Sequence, residues 1–139
     1  MRGPVPEAVG PLVGRRVLVV EDEYLIAIEL KRWLQEAGAD VVGPVAGVEQ
    51  ALDLIEDDGA PDVAVLDINL GAGETVGPVA DRLAALGVPF LFATGDVRRR
   101  NNSGYADRPR LEKPIIAPEL VRSLSELLGA SPGNAVRPS

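Results

Sequence analysis

The sequence predicts an α/β fold built on an open parallel sheet, and three observations carry that prediction. From Arg16 onward a short β-rich run followed by an amphipathic helical pattern recurs about five times, the rhythm of a parallel α/β sheet. Residues 17–20 and 63–66 are continuously apolar, as strands covered on both faces must be. Both runs end abruptly in acid, at Glu21 and Asp67.

Each element follows from local pattern. After Glu21, Asp22 and Glu23, the residues Ile26, Leu30, Trp33 and Ala37 recur at helical spacing, and Gly38 stands where a helix stops. Residues 40–45 read as a second strand. Val48, Ala51, Leu52 and Ile55 then form a helical stripe ending near Gly59. The third strand, 63–66, leads into Asp67 and a loop holding Gly71, Gly73 and Gly77, after which Pro78 opens a helix reaching Leu86. Residues 89–93 make strand four, and a short piece at 110–112 makes strand five ahead of Lys113 and Pro114. Pro118 opens a last helix with Leu120, Val121, Leu124 and Leu128 inward, closed by Gly129. The segment 96–107 fits no single pattern. Residues 1–14, broken by Pro4, Pro6 and Pro11, read as a flexible segment, 15–129 as the folded domain, and 130–139 as a flexible tail.

Composition narrows the chemistry. At 139 residues, 46% of them hydrophobic and 25% charged, the chain suits one globular domain. A formal charge of −7 repels phosphate backbones and anionic lipid, so DNA is not an expected partner. The basic run Arg98, Arg99 and Arg100, without interleaved aromatics, reads as a solvated or partner-docking face. The absence of Cys and His removes disulfides, thiolate or imidazole zinc sites and Ser/His/Asp triads. Carboxylates and Lys must do the work. No apolar stretch approaches the roughly 20 residues that span a bilayer, so a soluble, cytoplasmic protein is expected.

Ligands of open parallel sheets bind beyond the carboxyl ends of the strands. There strand one supplies Glu21 and Asp22, strand three Asp67, strand four Thr94 and strand five Lys113. Acids held together raise one another's pKa, so such a cluster makes physical sense around a cation. Mg2+ is the natural candidate, because it takes oxygen ligands and commonly one or two carboxylates plus phosphate oxygens. Glu21, Asp22 and Asp67 meet that demand, with the backbone carbonyl near Asn69 as a further ligand. An aspartate can attack phosphorus, and the transfer is then governed by positioning and by neutralising the phosphoryl oxygens. Lys113 offers a charge and Thr94 a hydroxyl for those oxygens. Taken singly the features are plainer: an acidic triplet suits a helix N-terminus, Asp67 a loop start, Thr94 a strand end and Lys113 a solvated loop. The Gly-rich loop lacks both the Walker ending and the GxGxxG pattern.

The motifs VLVVEDE (17–23), VAVLDINL (63–70), FATG (92–95) and EKP (112–114) together resemble the receiver domains of two-component response regulators. Their spacing agrees, with 45 residues from Asp22 to Asp67, 27 more to Thr94 and 19 more to Lys113. The resemblance implies a flavodoxin-like (βα)5 doubly wound sheet of order 2-1-3-4-5. It implies that Glu21 and Asp22 hold Mg2+, that Asp67 is the phosphoacceptor, that Thr94 senses the phosphoryl group and that Lys113 contacts it. A sensor histidine kinase or phosphotransfer protein would be the donor, and a downstream protein the partner. FATG further resembles a subgroup of mostly stand-alone receivers, although Asp96 and Val97 replace that subgroup's ending. Arg110 stands where many receivers carry an aromatic switch, which makes Arg110 or Tyr105 the expected relay through 96–107.

The expected function is therefore a single-domain response regulator that catalyses its own phosphorylation and dephosphorylation, and that switches partner binding or drains phosphate from a kinase. It is not expected to be an enzyme with an external substrate. Homodimerisation on the face around strand five is a further expectation, and no output domain is expected within the chain. Two rivals stand beside this reading. A Mg2+-dependent phosphatase would share the aspartyl nucleophile, but haloacid-dehalogenase-type enzymes carry a second Asp where this chain has Asn69. A receiver-fold interaction module that never takes phosphate would have no need of the complete set Glu21, Asp22, Asp67, Thr94 and Lys113.

Overall fold

A computed structural model describes residues 10–70, 74–95, 105 and 107–129. Five parallel strands, β1 (Arg16–Val20), β2 (Asp40–Val45), β3 (Val63–Asp67), β4 (Phe90–Thr94) and β5 (Arg110–Glu112), lie in the order β2-β1-β3-β4-β5. Helices α1 (Tyr24–Glu36), α2 (Val48–Asp58), α3 (Gly77–Ala85) and α4 (Ala117–Gly129) connect and cover them. This is the predicted doubly wound α/β sheet. The order reverses between β1 and β3, and in such sheets the crevice at the reversal is where ligands collect.

Strands buried on both faces split the core in two. Val17, Val19, Val63, Val65, Leu91 and Ala93 face one side, where Leu30 and Leu34 of α1 and Leu120, Leu124 and Leu128 of α4 cover them. Leu18, Val20, Ala64, Leu66, Phe90 and Phe92 face the other, covered by Ala51 and Ile55 of α2 and by Val79, Ala80 and Leu83 of α3. The period of two along each strand assigns alternate residues to the two layers. Burying a Leu or Phe on such a face contributes about 1.5–3 kcal/mol.

Several sequence-level details shift. The buried line of α1 is Ala27, Leu30 and Leu34, with Ile26 and Trp33 packed at its margin, because the helix axis is rotated by about one residue from the stripe read in sequence. Trp33 is thus a core-edge residue. β4 ends on Thr94 rather than Ala93, since the Lys113 amide donates to the Thr94 carbonyl at 2.8 Å and extends the ladder. Residues 10–14, expected to be flexible, form a packed turn. Leu12 is fully buried and its amide donates to the Ala37 carbonyl at 2.9 Å. Gly10 lies so close to that carbonyl that a Cβ would stand 2.0 Å from its oxygen. The Gly-rich loop, in which the sequence shows no strand pattern, carries a two-residue antiparallel ribbon of Asn69–Leu70 with Glu74–Thr75. Of the expected segments, 1–9, 71–73, 96–104, 106 and 130–139 lie outside the described residues. No helix among the described residues is long and apolar enough to cross a membrane.

Candidate functional site

Register brings the polar strand ends to one line. Val20 pairs with Leu66, and Leu66 with Phe92, so the next residues along, Glu21, Asp67 and Ala93, share the following rung. Thr94 pairs with Glu112, which puts Lys113 just beyond the rim. Loop amides fasten these ends: Glu21 N–H donates to the Val45 carbonyl at 2.9 Å, and Ile68 N–H to the Ala93 carbonyl at 3.3 Å. Each anchor ties the start of a loop to the neighbouring strand, so the side chains are held by the sheet itself.

Among the described residues, the buried polar or charged side chains are Glu21, Asp67 and Thr94, at 3%, 5% and 5% exposure. Every such group lies at this rim, where the apolar layers give way to charge. Carboxylate oxygens of Glu21, Asp22 and Asp67 lie within 4.8 Å of one another, with Asp22 the more open to solvent. The Lys113 ammonium donates to Glu21 Oε2 at 3.2 Å and to Asp67 Oδ2 at 3.4 Å. It also stands 3.1 Å from Glu21 Oε1, an ion-pair distance, although that buried oxygen receives no directed hydrogen bond. The Glu23 amide donates to Glu21 Oε2 at 3.1 Å.

Burial, more than any neighbour, drives the Asp67 carboxyl up from 3.8 to about 8; the Glu21 charge and hydrogen bonds that the protonated carboxyl donates to Glu21 and Asp22 add to it, and Lys113 opposes it. Burial also works against the Lys113 charge, but the Glu21 carboxylate and then Asp67 and Glu23 outweigh it and hold the ammonium above its usual range. Three carboxylates facing one ammonium leave the cluster anionic, and holding a proton on Asp67 is how it relieves itself without a cation. The donor set fits a small hard divalent cation. It is all oxygen, and oxygens on opposite sides of such an ion stand about 4.2 Å apart, so a cluster spanning 4.8 Å needs only slight contraction.

The structure thus brings together Glu21, Asp22, Asp67 and Lys113 and places Thr94 on the same rim. Asn69 begins the short ribbon two residues beyond Asp67. Gly95 leaves room beside the lysine, because a Cβ there would meet Lys113 Cδ only at 4.0 Å. Arg110 lies on β5 beside Phe92, its guanidinium carbon 5.0 Å from that ring's centroid. Tyr105 packs edge-on to Phe90, with ring centroids 5.4 Å apart, and its hydroxyl donates to Asp81 of α3 at 2.5 Å. Two links have no signal in the sequence. One is the Glu21–Lys113 tie, whose partners are 92 residues apart. The other is Asp81, an ordinary acid in a polar helix face that no local pattern distinguishes.

No family model matches the chain. A solved structure of the signal receiver domain of a modulated diguanylate cyclase from Desulfovibrio desulfuricans G20 is 32% identical, covers 84% of this chain and 95% of that one, and superposes with a TM-score of 0.74. The solution structure of SdrG from Sphingomonas melonis Fr1 is 42% identical over 86% of this chain and 99% of that one, with a TM-score of 0.73. Among curated proteins, the transcriptional regulatory protein PdtaR of Mycobacterium tuberculosis is 29% identical over 128 residues. That match takes in 89% of this chain but only 61% of PdtaR, so the chain spans less than two thirds of that relative.

Proposed function

We infer the function from one premise: the chain belongs to the signal receiver domains of response regulators. On that premise Asp67 accepts a phosphoryl group from a phosphohistidine donor, a sensor kinase or phosphotransfer protein, and the phosphorylated form binds a protein partner differently. The observation that carries this reading is the buried Asp67 carboxylate held 3.4 Å from the Lys113 ammonium, with Glu21 and Asp22 beside it.

The chemistry follows from the residues. A bond forms from an Asp67 carboxylate oxygen to phosphorus as the donor's phosphorus–nitrogen bond breaks, and the imidazole leaves with the electron pair and takes up a proton. Lys113, already within reach of Asp67, meets the negative charge on the phosphoryl oxygens, and the Thr94 hydroxyl donates to one of them. Glu21, Asp22, Asp67 and the Asn69 carbonyl would hold Mg2+, which when bound neutralises carboxylate and phosphoryl oxygens. Hydrolysis of the acyl phosphate by water returns Asp67 and resets the switch.

Docking of the donor has a surface to use. Tyr24, Leu25 and Ile28, on the first turns of α1 just after the acidic cluster, are 74%, 78% and 45% exposed. Ile116, shortly past Lys113, is 60% exposed. The two stretches are neighbours, since Ile26, Trp33, Lys113 and Ile115 line one cavity of about 90 Å³. Exposed apolar side chains grouped beside a reactive site suit a protein partner.

Intact-mass measurement after incubation with acetyl phosphate, with and without Mg2+, tests the proposal. One alkali-labile phosphoryl adduct, dependent on the metal and lost in Asp67→Ala, is expected. An adduct that survives Asp67→Ala, or none in the wild type, would reject it.

A further inference from the structure

Arg110 has chemistry that its surroundings leave unused. Its guanidinium lies over the face of Phe92 at 5.0 Å, within the range of a cation–π contact, yet its Nη1 is buried without a hydrogen-bond partner among the described residues. A buried Nη1 of a charged group with no acceptor is costly, and such an unsatisfied donor calls for an explanation such as a partner in another state. The ring contact is the weaker kind of attraction, whereas a charged N–H meeting an anionic oxygen is among the strongest hydrogen bonds available.

Register shows where that oxygen would come from. Phe92 and Arg110 are paired neighbours on β4 and β5, and Thr94 lies two residues further along β4, paired with Glu112. Side chains two apart on a strand share a face, so Arg110, Phe92 and Thr94 stand on one side of the sheet, about 7 Å separating the Arg110 rung from the Thr94 rung. An extended arginine spans that interval. The same face carries Tyr105, whose ring covers Phe90 and Phe92, so the space beside Phe92 is closed by an aromatic from outside β5. Arg110 is left to act through charge.

We propose that Arg110 reads the phosphoryl charge: its guanidinium leaves Phe92, moves along the sheet face to the Thr94 rung, and donates its unpaired N–H to a phosphoryl oxygen. This rests on the phosphoacceptor reading of Asp67 and adds to it a second cation besides Lys113. It makes the phosphoryl-bearing state differ from the resting state in the shape and charge of the β4–β5 edge, because a cation withdraws from the Phe92 ring as the site fills. The residue is a contact of the bound group, and the resting protein does not need it to form the site.

Beryllium trifluoride, a phosphoryl stand-in that binds aspartate without a covalent transfer, is the probe, added with Mg2+ to the full chain and followed by fluorine-19 NMR and calorimetry. Arg110→Gln should bind it about tenfold more weakly than wild type, and Arg110→Lys should recover most of that loss. Arg108→Gln removes the same charge from the cation over Phe90, one alternate position further from Thr94, and should bind as wild type does. Should Arg110→Gln fail to fold, Arg110→Leu, which keeps apolar contact with Phe92, decides the same question. Equal affinity in wild type and the folded neutral variant overturns the proposal, as does an equal loss in Arg108→Gln, which would mark a mere effect of net charge. Failure of the wild type to bind the probe would instead overturn the phosphoacceptor reading itself.

Discussion

Replacing Asp67 by Asn should make the cation-free protein more stable, although it removes the residue on which the proposed function depends. In the folded chain the Asp67 carboxyl is pushed from 3.8 to about 8, first by burial and then by Glu21. A carboxyl whose folded pKa is raised contributes stability that is complete below the unfolded value near 4 and is lost as pH rises through the folded value near 8. At pH 7 about three units of that window have been crossed, a ceiling of about 4 kcal/mol at 1.4 kcal/mol per unit. Solvent screening at this partly open rim discounts that ceiling by about half, so Asp67→Asn should recover about 2 kcal/mol. For a chain of this size that is a rise in melting temperature of about 6–10 °C. Thermal and urea unfolding in EDTA at pH 4.5, 7 and 8.5 would measure it. The gap between Asp67→Asn and wild type should be near zero at the lowest pH and widen as pH rises. A variant no more stable than wild type at pH 8.5, or a gap that does not grow, would refute the claim that this cluster is held together against its own charge.

Three further outcomes are expected. Mg2+ at ten times its dissociation constant should raise wild-type stability by about 1.4 kcal/mol, and Asp22→Asn should lose most of that rise in parallel thermal scans. Leu25→Arg, placing charge on the exposed start of α1, should slow labelling by whichever phosphohistidine protein labels wild type fastest by about fivefold while acetyl phosphate labelling persists; quench-flow with radiolabelled donor measures both. Leu124→Ala, at a fully buried position between α4 and the sheet, should cost about 3 kcal/mol in urea unfolding and leave a cavity rather than alter the site.

The fold was legible because strands buried on both faces write themselves as unbroken apolar runs, and the site because parallel register converts distances in sequence into adjacency at one rim. Asp67 and Lys113 are 46 residues apart, yet each simply stands where a strand ends. Harder to see were features set by tertiary contact alone. The packed turn holding Leu12 carries Pro11, has two prolines upstream and no periodicity, and it is fixed by the carbonyl of Ala37 and by Leu12 packing into the core. The short ribbon after Asp67 is too brief for a strand pattern. Glu21 read as a metal ligand, and nothing in its neighbours announces that Lys113 lies at least as close to it as to Asp67.

That last geometry bears on how the site is kept ready. A lone lysine beside a buried phosphoacceptor would neutralise it and blunt its attack on phosphorus. Here the ammonium is divided, 3.1 Å from Glu21 and 3.4 Å from Asp67, and Glu21 is the more buried of the two acids. Glu21 thus competes with Asp67 for the Lys113 ammonium, and on the proposed reading it would keep Lys113 from pairing wholly with Asp67 before a phosphoryl group arrives. Glu21 and Asp22 would hold a divalent cation, whose charge would weaken the attraction between Glu21 and Lys113. The sheet supplies fixed strand ends, and the acids on β1 decide which cation answers to which charge, so an acid at position 21 matters to Lys113 as much as to any metal.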